Sequence, residues 1–218
     1  MKKFAVILAG CGNKDGAEIG ESLTTLLSID QCGVSYDIFA PDKQVFHTLN
    51  YITGEEIPDR RNVMLEAARI ARGDIRPLSE YAAANYDALV LPGGFGAAKN
   101  LCDYAIKGAE MTVDKEVEKA VLDTHTLGKP IGALCIAPVI IAKLIPNANV
   151  TSGNDPDTIK NMLEMGARHT PTQAGEYVYD AENNLYSTPC YMLPNARISE
   201  VYSGVFNMIK AMVASILP

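Results

Sequence analysis

Short apolar runs alternate with amphipathic segments along the whole 218-residue chain, which restricts the fold to βαβ units around a mainly parallel sheet. Residues 4–9 are all apolar, suit a strand buried on both faces, and open into the glycine-rich loop Gly10-Cys11-Gly12-Asn13-Lys14-Asp15-Gly16. A helix is expected over residues 17–32, where Ile19, Leu23, Leu26, Leu27 and Ile29 fall near helical spacing. Further strands are expected at 34–39, 87–91, 131–135 and 149–152, and helices at 62–72, 113–127, 138–144 and 156–164. Two stretches depart from this alternation. Residues 41–61 are polar and turn-rich and read as an insertion of loops or a small hairpin. Residues 176–180 and 185–189 flank Ala181-Glu182-Asn183-Asn184 as a hairpin or a pair of edge strands. The last segment sets Ile198, Val201, Val205, Met208, Ile209, Met212 and Ile216 on one face, which predicts a docked helix. No repeat or linker divides the chain. It reads as one α/β domain over 1–218, a doubly wound and mainly parallel sheet sandwiched by helices, with a small hairpin addition.

Charge narrows the function. With 19 Lys and Arg against 26 Asp and Glu, the net charge is −7, which argues against binding nucleic-acid phosphates or an anionic membrane surface. No apolar run approaches the roughly 20 residues that span a bilayer. The five cysteines are scattered without a Cys-x-x-Cys pair, as expected of free thiols in a reducing compartment. At the N-terminus, Lys2-Lys3 precedes a short apolar run and Leu8-Ala9-Gly10-Cys11 resembles a lipoprotein cleavage box. The run is shorter than the 7–15 residues of a signal core, so it is read as a buried strand, and a cytoplasmic location is expected.

Ligands of open α/β sheets sit beyond the carboxyl ends of the strands, and three segments bring chemistry there. In Leu134-Cys135-Ile136-Ala137-Pro138 a strand turns into a helix with the cysteine at the turn. Such an elbow exposes a side chain to the helix N-terminus, whose partial positive charge is expected to lower the thiol pKa. In Leu91-Pro92-Gly93-Gly94-Phe95-Gly96 consecutive glycines allow backbone N–H groups to converge on an anion, although they equally suit a tight turn against a packed helix. No Gly-Lys-Ser/Thr follows, so this is not a P-loop. In the helix after the first loop, Glu18 and Glu21 lie three residues apart on one face. Glu18 can satisfy the helix dipole. Glu21 is either a solvated helix carboxylate or a buried acid–base whose pKa is raised by desolvation.

In this order and spacing the three segments resemble the PfpI-type, class I glutamine amidotransferase-like superfamily that includes the parkinsonism-associated deglycase. The chain is most similar to its ElbB-type glyoxalases, also called enhancing lycopene biosynthesis or sigma cross-reacting proteins. The resemblance runs through Gly10-Cys11-Gly12, Phe39-Ala40-Pro41-Asp42-Lys43-Gln44, Arg69-Ile70-Ala71-Arg72-Gly73, Pro92 to Leu101 and Cys135-Ile136-Ala137-Pro138. It implies a flavodoxin-like fold, Cys135 as nucleophile, Glu21 as the neighbouring acid–base, and backbone oxyanion donors at Gly94 and Ile136 beside Gly93. The implied reaction converts glyoxal or methylglyoxal to glycolate or lactate without glutathione, metal or organic cofactor, in a homodimer whose partner molecule is a small dicarbonyl.

The departures from the superfamily pattern bear on the third member of the site. Amidotransferases and the peptidase branch place a histidine beside the elbow cysteine, where this chain has Ile136 and Ala137. Other branches bring one from the strand after the elbow helix, where this chain has Val150-Thr151-Ser152-Gly153-Asn154-Asp155. Asn154 or Asp155 stands in at best, and His169 is a further candidate to line the site. His125 reads as a helix C-terminal residue, and three histidines so far apart give no metal-ligand spacing. The rival expectation is a non-catalytic redox sensor or accessory protein of isoprenoid metabolism that uses an oxidisable Cys135.

Overall fold

The computed structural model describes residues 2–216. In chain order the elements are β1 (Lys3–Ile7), α1 (Ile19–Gln31), β2 (Ser35–Ala40), β3 (Thr48–Leu49), β4 (Glu56–Ile57), α2 (Val63–Ile70), β5 (Arg76–Pro77) and β6 (Ala88–Leu91). There follow α3 (Phe95–Lys99), α4 (Tyr104–Lys107), α5 (Lys115–Thr126), β7 (Ile131–Leu134), α6 (Pro138–Leu144) and β8 (Asn149–Val150). The chain ends with α7 (Pro156–Glu164), β9 (Arg168–His169), β10 (Val178–Asp180), β11 (Leu185–Thr188) and α8 (Ile198–Ile216).

Seven strands form the central sheet in the order β10-β11-β7-β6-β1-β2-β5, and every neighbouring pair but β10–β11 is parallel. This is a flavodoxin-like, doubly wound arrangement. From β1 the chain steps outward to β2, then returns to the other side of β1 at β6. Right-handed crossovers therefore put α1 and α5 on opposite faces. Helix α8 packs on α1 and on β7 and β11, while α5 and α6 pack together over β6 and β7. Strands β6 and β7 are buried at every residue, as sandwiched parallel strands should be. The switch point lies between β1 and β6, so the loops after β1, β6 and β7 meet at one end of the sheet.

Caps set the helix boundaries. Asn62, Asp114 and Asp155 accept hydrogen bonds from backbone N–H groups in the first turns of α2, α5 and α7. Pro138 and Pro156 occupy first helical positions, and both helices begin where those prolines predict. No helix among the described residues is long and apolar enough to cross a membrane.

Three readings change. The expected apolar face of α1 is outside: Ile19, Leu23 and Leu27 are 44%, 50% and 47% exposed. The buried face carries Glu21, Ser22, Thr25 and Ser28, beside Leu26 and Ile29. Ser22, Thr25 and Ser28 donate to backbone carbonyls one turn back, so their hydroxyls are satisfied inside the helix and their small size admits α8 closely. The hairpin at the far end is no mere addition, because β11 runs parallel to β7 in the main sheet, with Thr188 beside Leu134. The expected strand at 149–152 shortens to β8, which pairs with β9 in a separate two-stranded sheet. The insertion at 41–61 does carry a small hairpin, β3–β4.

Candidate active site

Cys135 follows β7 with φ +58°, a left-handed conformation that turns strand into helix within two residues. Its amide donates to Thr188 O at 2.9 Å, its carbonyl accepts from the Ser152 hydroxyl, and only 7% of the residue is exposed. Glu21, in the first turn of α1, is fully buried and hydrogen-bonded to the Cys135 thiol. The Gly93 amide donates to its Oε2 at 3.0 Å and the Tyr191 amide reaches Oε1 at 3.5 Å. Glu18 is the N-cap of α1 rather than a first-turn residue, and its Oε2 accepts from the Glu21 amide at 2.5 Å.

The glycine loop is shaped by this pair. A Cβ on Gly93 would lie 2.7 Å from Glu21 Oε2 and closer still to Cys135 Cβ. Gly94 has φ +89°, and a Cβ there would run into Gly16 O at 2.6 Å. With both glycines in place, the Gly94 and Ile136 amides hydrogen-bond the Cys135 sulfur, so the two amides expected as oxyanion donors converge on that atom.

Burial dominates the electrostatics. It pushes the Glu21 carboxyl up to about 8, helped by the charge on Glu18 and opposed by hydrogen bonds from Cys135, Tyr191 and Gly93. The Cys135 thiol is also raised well above its ordinary range, by burial first and by Glu21 next, with the Gly94 and Ile136 amides pulling the other way. The lowered thiol pKa expected of the elbow is therefore corrected: desolvation and a facing carboxylate outweigh the helix end. The two groups titrate as a pair. Of the two, the Glu21 carboxyl ionises first, near pH 8, and its charge in turn holds the thiol proton on Cys135.

A cavity of about 690 Å³ opens beside Cys135 and is lined by Glu18, Gly94, Phe95, Tyr104, Ile136, Asp155 and Tyr191 among others. The structure thus brings together Cys135, Glu21, Gly93, Gly94, Ile136 and Asp155. Asn154 is not part of this lining and sits on the outer surface with Pro156 and Lys160. His169 is on β9, outside the cavity, with Nε2 buried and unpaired. Among the described residues no histidine, lysine or arginine lines the cavity. Among the described residues no group of three His, Cys, Asp or Glu side chains is placed to hold a metal ion.

Sequence reasoning missed Cys190 and Tyr191. Cys190 is 2% exposed with φ +45°, and its thiol is raised by burial and by the neighbouring Glu21 and Cys135. The signal was the run Thr188-Pro189-Cys190-Tyr191 at a strand end, hidden while that strand was read as peripheral.

Residues 75–183 match the DJ-1/PfpI family. The human glutamine amidotransferase-like class 1 domain-containing protein 3, mitochondrial, is 38% identical over 95% of this chain and 81% of its own length. The rat mitochondrial ES1 protein homolog is 38% identical over 95% and 82%. Among solved structures, an isoprenoid biosynthesis protein with amidotransferase-like domain from Ehrlichia chaffeensis superposes with TM-score 0.93 at 34% identity, covering all of both chains. Glyoxalase III of Candida albicans shares the fold at TM-score 0.63 and 13% identity, over 99% of this chain and 98% of its own. These relatives overturn the cytoplasmic location expected above, because the human and rat proteins are both named mitochondrial and point to that compartment. A buried first strand tells how the N-terminus folds and carries no address, and free thiols mark a reducing environment without naming it.

Proposed function

Since the chain belongs to the DJ-1/PfpI family, we propose that it is a cofactor-free glyoxalase of the ElbB type, acting through Cys135 and Glu21. The observation that supports this reading is the buried hydrogen bond between the Cys135 thiol and the Glu21 carboxyl, flanked by the Gly94 and Ile136 amides. Cys135 sulfur adds to one aldehyde carbon of glyoxal, and the thiol proton passes to that carbonyl oxygen, giving a hemithioacetal. The Gly94 and Ile136 amides stabilise the oxyanion as it forms. Ionised Glu21 then takes the C–H proton of the hemithioacetal carbon, leaving an enediolate. It returns that proton to the second carbon, while the first becomes a thioester carbonyl. Water cleaves the thioester to glycolate and restores the thiol. A carboxyl titrating near 8 is basic enough for the carbon proton and still ionises close to neutral pH.

The test is incubation with glyoxal without glutathione, with glycolate quantified by chromatography for the wild type and for Cys135→Ala. Glycolate from the wild type alone is expected. Equal glycolate from both proteins, or none from either, would refute the assignment. One observation favours a second reading, a redox sensor or accessory protein: the cavity holds no imidazole to speed turnover. Selective Cys135 oxidation by low peroxide, with no dicarbonyl turnover, would decide for it.

A further inference from the structure

We infer that this site also takes carbonyl compounds larger than glyoxal, whose tail carries a protonated amine. The inference rests on the proposed role of Cys135 as nucleophile and adds to it the chemistry of the walls. A cavity of about 690 Å³ falls in the range that encloses drug-sized ligands, and a four-heavy-atom dialdehyde would leave most of it to water. The polar side chains of its rim include two carboxylates and no cation.

Glu18 uses Oε2 to accept the Glu21 amide, and Asp155 uses Oδ2 to accept the Thr158 amide and hydroxyl. The other oxygen of each carboxylate has no hydrogen-bond partner among the described residues, and neither side chain enters an ion pair there. Aromatic rings share the lining with these half-buried and exposed carboxylates. Tyr191 stands next to Glu18: a Cβ on Gly20 would lie 3.1 Å from Glu18 Oε2 and 3.6 Å from the Tyr191 hydroxyl. Tyr104 accepts from Asn161 Nδ2 at 3.0 Å, and Phe95 is 53% exposed at the cavity. Lys99 lies over the Phe95 ring, but it is held by Lys14 O and His47 and does not line the cavity. Unpaired carboxylates beside aromatic rings are the surroundings that bind ammonium groups, by Coulomb attraction and by the ring quadrupole together. The same walls repel a carboxylate or phosphate tail.

Three reagents with one warhead test this: methanethiosulfonates bearing a trimethylammonioethyl, a neutral hydroxyethyl or a sulfonatoethyl tail. Cys135 sulfur attacks the thiosulfonate sulfur and expels methanesulfinate, and labelling of the Cys135 peptide is followed by mass spectrometry. The cation-to-anion rate ratio is expected to exceed that of free 2-mercaptoethanol by about tenfold or more at low ionic strength and to fall with salt. It should drop toward the reference in the Glu18→Gln/Asp155→Asn double variant. A ratio equal to the reference, a ratio unchanged in the double variant, or no labelling by any tail would overturn the inference. Glycolate release without cation preference would overturn it alone. Cation preference without glycolate release would overturn only the glyoxalase reading.

Discussion

Replacing Glu21 by glutamine tests the electrostatics of the site through stability rather than rate. The carboxyl titrates at 4.5 when solvated and at about 8 in the folded protein. Between those values the folded state holds a proton that the unfolded state has lost, so stability falls as pH rises, opposite to the usual salt-bridged carboxylate. At about 1.36 kcal/mol per unit, the shift costs the wild type roughly 1 kcal/mol at pH 5 and roughly 3 kcal/mol at pH 7. Glutamine has nearly the same shape and does not titrate. The stability of Glu21→Gln relative to wild type should therefore rise by roughly 2–3 kcal/mol between pH 5 and pH 7. Urea unfolding of both proteins at pH 5, 6 and 7 measures this, and the contributions of all other groups cancel in the difference. A gap that stays constant over that range would show that Glu21 ionises near its solvated value in the fold. The argument for a buried acid–base would then fail.

Two further outcomes follow from the same geometry. The rate at which iodoacetamide alkylates Cys135 should climb as pH rises through about 8, because ionised Glu21 then accepts the thiol proton as the sulfur attacks. Glu21→Gln should remove that ionisation, and an unchanged profile in the variant would refute the coupling. Gly93→Ala should cost about 1–3 kcal/mol, read as a lower urea midpoint, because its methyl collides with Cys135 Cβ and Glu21 Oε2. It should also abolish glycolate formation, and a fully active variant would show that the loop is not tied to the pair.

The sheet was legible because buried parallel strands declare themselves as apolar runs, and because Pro138 and Pro156 mark helix starts on their own. The elbow cysteine was legible for a similar reason: a cysteine between an apolar run and an N-terminal proline sits where strand turns into helix. Helix α1 was not. Its leucines advertise a core face, yet α8 needs small side chains to approach, so the serines and threonines face in and the leucines out. The contribution of β11 was hidden as well, since strand order within a sheet is a long-range property that no local pattern around residues 185–190 records. That one misreading removed Cys190 and Tyr191 from the candidate site together.

The features that break local rules gather in one place. Glu21 is a buried carboxyl with no ion-pair partner among the described residues, and Cys135 and Cys190 are two non-glycine residues at positive φ close to it. Left-handed conformations elsewhere fall in turns, such as Arg72 after α2 and Asn184 in the β10–β11 hairpin, where they close the chain at little cost. At Cys135 and Cys190 the same conformation, of order 1–2 kcal/mol each, closes no hairpin and caps no helix C-terminus. It places two cysteines, at the ends of adjacent strands, close to one carboxyl. Core packing alone would replace Glu21 with an apolar residue of like volume and gain stability at neutral pH. Three destabilising choices gathered around one buried carboxyl are expected where chemistry is done, and not where the fold is held together.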